Sequence, residues 1–261
     1  MLNISSVTRR NFKRHFISNA FIELRFAPHI IDWNSLETEF KKISSQNLQL
    51  EVARKTISAE LRFETKIESS GKTTHAPITN TKTDGLVAQN KENTFSIQVK
   101  NDRIIFSTQR YSGFVDLWEK IEHALSALTP LLKLDKFNWI GIRKINEIAV
   151  TNDASLGYTG AGMNKQIFTP INDGVFKPES VSLGYNRYEL TEGNTRCIID
   201  STVRKSTDKS YLLKLDLDFN QKFDPLALSS VKAVASELNT RLFEVFVWSI
   251  SDDVLKALEA E

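Results

Sequence analysis

Phe95-Ser96-Ile97-Gln98-Val99-Lys100-Asn101-Asp102-Arg103-Ile104-Ile105-Phe106 alternates apolar and polar residues up to Asn101-Asp102 and then back again. Period-two alternation on both sides of two residues that tolerate positive φ predicts a β-hairpin. Beyond it, Phe114, Leu117, Trp118, Ile121, Leu125 and Leu128 recur at helical spacing and form one apolar stripe. Pro130 marks the end of that helix or a kink in it. The unit is therefore a hairpin, a short link and a long amphipathic helix.

The same unit recurs in the second half. Strands are expected at 182–190, 195–204 and 210–219. They precede a helix whose face runs through Val231, Val234, Ala235, Leu238, Leu242, Val245 and Ser249, from 226 to about 250. Ser251-Asp252-Asp253 is suited to cap a last short helix.

Upstream of the hairpin, Ala20, Ile22, Leu24 and Phe26 share one phase of a strand whose other phase carries Phe21, Glu23 and Arg25. A helix is expected at 34–44, with Asn34 and Glu37 at capping-box spacing. Residues 48–64 alternate again, with a slip of phase near Arg54-Lys55 that a bulge would absorb. The polar, Thr- and Ser-rich run from Ile67 to Gly85 reads as a loop. Residues 137–150 read as one long strand, in which Gly141 marks a bend or the close approach of another backbone. Residues 151–180, with four Gly and two Pro, read as a loop.

Together these readings predict an α+β fold of two pseudo-repeated halves of mostly antiparallel sheet. Each half is closed by a long amphipathic helix packed on one sheet face. The expected organisation is a basic arm at 1–17, an N-terminal half at 18–134 and a C-terminal half at 135–261, integrated in one domain.

Composition limits the function classes. The chain has 261 residues, 41% hydrophobic and 25% charged, enough for a substantial core. Its net charge of +2 gives no global argument for nucleic acid or membrane. No segment approaches the roughly 20 apolar residues that span a bilayer, and the N-terminus lacks a signal-peptide core. A single cysteine, Cys197, precludes an internal disulfide, so a cytoplasmic location is expected.

No catalytic motif and no cofactor signature stands out. His15, His29, His75 and His123 have no partner at metal-ligand spacing, so no metal site is expected. Cys197 sits within a strand and reads as a packed residue rather than a nucleophile. Gly157, Gly160 and Gly162 fit no phosphate-loop pattern. Asp216 and Asp218 read as a solvated stripe beside Lys214. Trp33 and Trp118 are expected in the core.

Two sets of residues suggest binding. Arg9, Arg10, Lys13 and Arg14 form a basic cluster suited to phosphates or an acidic partner. Glu23, Arg25, Arg143 and Asn146 lie on strands apolar enough to be central, where polar groups need partners; they either form a buried polar network or line a pocket.

Trp139-Ile140-Gly141-Ile142-Arg143-Lys144-Ile145-Asn146-Glu147-Ile148 resembles the Ile-Gly-Leu-Arg-Tyr-Ile-Asn-type central motif of a sporadically distributed, functionally uncharacterised prokaryotic family of about this length. Residues 19–26 resemble its opening motif, and Leu215-Asp216-Leu217-Asp218-Phe219 with the following helix resembles its C-terminal block. Lys144 departs from the pattern, which has an aromatic there, and Phe21 stands in place of its Pro. The resemblance implies a stand-alone cytoplasmic protein of patchy inheritance, as is common in phage-defence and toxin–antitoxin loci. It carries no catalytic residues.

The sequence thus leads to a non-enzymatic binding or regulatory protein with a protein partner, a second copy of the chain among the candidates. A nucleic-acid-binding protein using the arm and the sheet face is one alternative. An enzyme or small-molecule sensor with a pocket near Arg143 is the other.

Overall fold

A computed structural model describes residues 12, 16–43, 50–67, 73–151, 182–207 and 210–259. It is an α+β structure built on one nine-stranded sheet. The strands are β1 (Ile17–Arg25), β2 (Leu50–Ile67), β3 (Thr73–Asn90), β4 (Phe95–Lys100), β5 (Arg103–Thr108), β6 (Lys136–Thr151), β7 (Leu183–Glu192), β8 (Thr195–Thr207) and β9 (Ser210–Ala227). The helices are α1 (Trp33–Ile43), α2 (Phe114–Leu131), α3 (Val231–Ser249) and α4 (Asp252–Glu259). The strand order is β2-β3-β4-β5-β1-β6-β9-β8-β7, and every pairing is antiparallel.

The hairpin forms where alternation places it, with Val99 opposite Ile104 and Ile97 opposite Phe106. Its apolar phase (Phe95, Ile97, Val99, Ile104, Phe106) is buried. So is that of β1 (Ala20, Ile22, Leu24) and that of β9 (Leu213, Leu215, Leu217, Phe219). The stripes of α2 and α3 enter the same cluster, so a continuous core lies between one sheet face and the helices. β1 and β6 are neighbours at the middle of the sheet, where residues 18–134 meet residues 135–261.

Several local expectations are corrected. Within the run expected as a loop, Thr73–Gly85 is strand: β3 begins at Thr73 and pairs with β2 from Ile67↔Thr73 to Leu50↔Asn90, while 68–72 lie outside the described residues. The run is polar but rich in β-branched Thr, which favours extended backbone. Pro77 is tolerated because β3 pairs with β4 over Gly85–Gln89, so at Pro77 β2 is the ladder partner. The slip of phase read near Arg54-Lys55 is present as two register shifts, Val52/Arg54 and Thr56/Ile57. α1 is capped by Asp32 rather than by Asn34. Asp32 Oδ1 accepts the N–H groups of Asn34 (3.1 Å) and Ser35 (3.3 Å), and Oδ2 accepts the Ser35 hydroxyl (2.7 Å). These bonds, the Ser35 hydroxyl foremost, hold the Asp32 carboxyl below its ordinary range. Residues 226–227 belong to β9; a 3₁₀ turn at Leu228–Ser230 leads into α3. The loop expected at 151–180 falls almost wholly outside the described residues.

Candidate ligand-binding site

β6 carries the most informative alternation. Ile140, Ile142, Lys144, Asn146 and Ile148 share the phase that faces the helices, and all five are buried. Two polar residues therefore stand in an apolar phase, beneath α2 and α3. Lys144 is 7% exposed and Asn146 2%. Burying such groups is costly unless each finds hydrogen bonds.

Both find them. Lys144 Nζ donates to Asn239 Oδ1 of α3 (2.7 Å) and to Tyr111 Oη in the β5–α2 link (2.9 Å). It also lies 4.5 Å from the Tyr111 ring centroid, a cation–π contact. Asn146 Nδ2 donates to the Leu215 carbonyl of neighbouring β9 (3.0 Å), which fixes the amide's orientation.

Lys144 and Asn146 open onto a cleft of about 820 Å³ between α2 and α3. Much of the wall is aromatic: Phe12, Phe16, Phe114, Trp118, Phe243 and Phe246. Phe114 and Trp118 stack at 5.8 Å. Phe12 packs on Phe243 (5.8 Å) and Phe246 (5.9 Å), so its ring forms part of the wall. Phe16 is tied down by its carbonyl, which accepts from Glu147 N–H (2.9 Å). Trp118 is in the core as expected, yet its indole Nε1–H is buried without an acceptor. At the rim the exposed Glu119 and Lys232 bring opposite charges. A second cleft, of about 690 Å³, lies where α1, the end of α2 and the start of β6 meet. Its wall is mainly apolar, Phe26, Ile31, Leu132 and Phe137 among it, and it has no buried cation among its described lining.

The four residues singled out on the central strands are not brought together. Glu23, Arg25 and Arg143 lie on the sheet face away from the helices, and Asn146 lies on the other. Glu23 Oε1 accepts from Arg25 Nε (2.6 Å) and Arg103 Nη1 (3.0 Å), and Arg103 also pairs with Asp102 (2.7 Å). The Arg103 hydrogen bond holds the Asp102 carboxyl below its usual range. Arg143 instead forms a two-pronged pair with Asp216, Nε to Oδ1 at 2.8 Å and Nη2 to Oδ2 at 2.6 Å. Arg143 lines neither cleft.

The acidic stripe of β9 is not solvated as expected. Asp216 is 7% exposed beneath the Arg143 guanidinium. Burial pushes the Asp218 carboxyl upward, against the Asn220 amide (3.2 Å) and the Arg143 charge, which pull it down. Gly141 is required by a side chain rather than by backbone, since a Cβ there would meet the Trp139 ring at 2.2 Å. That ring in turn lies under Arg25, 4.2 Å from its guanidinium carbon. Cys197 is fully buried, and burial raises its thiol to about 12, too high for a ready nucleophile. Arg9, Arg10, Lys13 and Arg14 lie outside the described residues.

Lys144, Asn239, Tyr111 and Trp118 were not singled out as site residues by sequence reasoning. The signal existed for Lys144 alone, as a charge in the apolar phase of β6. No protein-family model and no curated protein matches the chain. No helix among the described residues is long and apolar enough to cross a membrane.

Proposed function

We propose that this is a non-enzymatic binding or regulatory protein whose cleft between α2 and α3 takes a small organic ligand. One observation carries the reading: buried Lys144 and Asn146 open into a space of about 820 Å³ walled largely by aromatic rings. Mostly apolar clefts of this size with a few converging polar groups are the usual form of small-molecule sites. A purely structural Lys144 would need its hydrogen bonds but not the space beside them.

The test is a titration with the neutral fluorophore N-phenyl-1-naphthylamine. One probe per chain is expected to bind. Ser236→Trp, at the exposed rim of the cleft, should abolish binding without lowering the melting temperature. A protein that takes up no probe, or whose Ser236→Trp variant binds it unchanged, would overturn the reading.

The family resemblance supplies a setting, in which the protein is a cytoplasmic component of a phage-defence or toxin–antitoxin module and signals to a protein partner. Affinity capture with the products of adjacent genes checks this, and a chain that stays solitary with and without ligand counts against it. The nucleic-acid reading rests on the basic residues Arg9, Arg10, Lys13 and Arg14 of the sequence. Its sign would be binding that weakens steeply with salt.

We also read the halves as two versions of one unit. The order β3-β4-β5-β1 on one side of the β1–β6 junction is matched by β7-β8-β9-β6 on the other, with α2 following β5 and α3 following β9.

A further inference from the structure

β7 is an edge of the sheet: among the described residues it pairs with β8 alone. The Ser182 carbonyl accepts Lys205 N–H, and antiparallel strands alternate in which side their backbone groups face. Gly184, Asn186, Tyr188, Leu190 and Glu192 therefore turn theirs toward β8. Leu183, Tyr185, Arg187, Glu189 and Thr191 turn theirs outward. Such an edge is a template for another strand, and proteins usually blunt it with a proline, a lysine or a bulge. β7 has no proline and no lysine, and its ten residues pair with β8 without a register shift. β2, at the opposite edge, has two such shifts. β7 also exposes Leu183, Tyr185 and Tyr188.

The charges on β7 say what strand fits it. Arg187 and Glu189 flank Tyr188 on the sheet face away from the helices. Each is tied to β8 by a surface pair, Arg187 to Asp200 (2.8 Å) and Glu189 to Arg196 (2.6 Å), which lays its side chain along the sheet. A second β7 running antiparallel meets the first about a two-fold axis, and the position of that axis sets the pairs. An axis at Arg187 opposes two guanidinium groups, and an axis at Glu189 opposes two carboxylates. An axis at Asn186 or at Leu190 sets neither charge opposite its complement. An axis at Tyr188 sets Arg187 opposite Glu189 on both sides of it, Tyr185 opposite Thr191 beyond them, and the two Tyr188 side chains together. Opposite charges across a strand pair stabilise it and like charges destabilise it, so this register is favoured over its neighbours. In it the outward-facing residues meet one another, as backbone exchange requires.

We propose that β7 is a dimerisation edge, to which β7 of a second copy of the chain pairs antiparallel about a two-fold axis at Tyr188, joining the two sheets into one.

Sedimentation of the full chain from micromolar to millimolar concentration should show a monomer–dimer equilibrium. Arg187→Glu opposes carboxylates at both symmetric pairs, and Glu189→Arg opposes guanidinium groups. Each should weaken the dimer about ten-fold or more. Mixed one to one, the two variants set opposite charges across both pairs again and should form a heterodimer about as tight as the wild-type dimer. A folding defect in either variant could not produce that rescue.

Tyr188→Cys reads the register without touching the charges. The Cα atoms of a non-hydrogen-bonded antiparallel pair lie about 4.5 Å apart, within disulfide reach, so mild oxidation should link two chains. Asn186→Cys lies opposite Leu190 in this register and should not link. The native Cys197 is buried and takes no part.

A chain that sediments as a monomer throughout would overturn the proposal. So would a dimer that neither charge reversal weakens, a mixture no tighter than its components, or equal linkage at positions 186 and 188.

Discussion

At the scale of single residues, the sheet face away from the helices is held by charges that neutralise one another in place. Arg143 and Asp216 are the clearest pair, because the carboxylate is nearly buried and the guanidinium is half-exposed. Arg143→Met should leave Asp216 buried beside an apolar chain. The expected loss is about 2 kcal/mol, below the 3–5 kcal/mol typical of fully buried pairs because water reaches the arginine side. Adding Asp216→Leu should recover much of it, and chemical denaturation of the three proteins measures both steps.

Asp218, one pleat along, behaves in the opposite way. Its folded carboxyl titrates above the unfolded value near 3.8 because burial disfavours the charge. Its contribution to stability is therefore fully present below that value and is lost as pH rises through the folded one. Asp218→Asn should raise the melting temperature at pH 7 and leave it unchanged near pH 3; a variant less stable at pH 7 contradicts this. Of these residues, Arg143 was legible from its position on an apolar strand. The burial of Asp216 and Asp218 was not, since alternation tells which face a residue takes and not what neighbouring strands lay over it. Lys144 was legible in principle. Its place in the Ile140–Ile148 phase marks it as surely as any leucine, yet Asn239 and Tyr111, which hold it, come from segments with no local sign of that role.

At the scale of elements, β2 and β3 are long beyond the rest of the sheet. β3 pairs with β4 over Gly85–Gln89, whereas from Thr73 to Thr83 its ladder runs to β2. A two-stranded ribbon is marginally stable in water. Amide exchange should therefore be fast in 57–67 and 73–83 and slow in 86–89, where a third strand and the buried Leu86 and Ala88 take part. Uniform protection along β3 would contradict this. Gly85 sits at the boundary: a Cβ there would meet Thr56 Oγ1 at 2.5 Å and the Val99 carbonyl at 2.8 Å. The polar run from Ile67 reads as a loop in the sequence for a physical reason. The signal of a half-buried strand is alternating burial, and a polar ribbon offers little apolar residue to alternate. β4, β5 and α2 were legible almost to the residue, because each presents an uninterrupted apolar phase to the core.

At the scale of the whole molecule, the two halves meet along β1 and β6, from Ile17↔Asn146 to Arg25↔Trp139, in the interior of the sheet. Ala20, Ile22 and Leu24 on one side and Ile140 and Ile142 on the other belong to the same core cluster as both long helices. The cleft uses this junction: its inner surface is β6 of the second half, and its sides are α2 of the first and α3 of the second. Neither half alone can bury its β1 or β6 edge, so neither should fold independently of the other, however alike their strand orders are. Calorimetry should show one transition in which the heat absorbed matches the van't Hoff enthalpy. A ligand seated in the cleft touches both halves and binds only the assembled state, so it should shift that single transition upward as a whole. Two separable transitions, or a ligand that moves only part of the heat, would mean that the halves are independent units and that the cleft belongs to one of them.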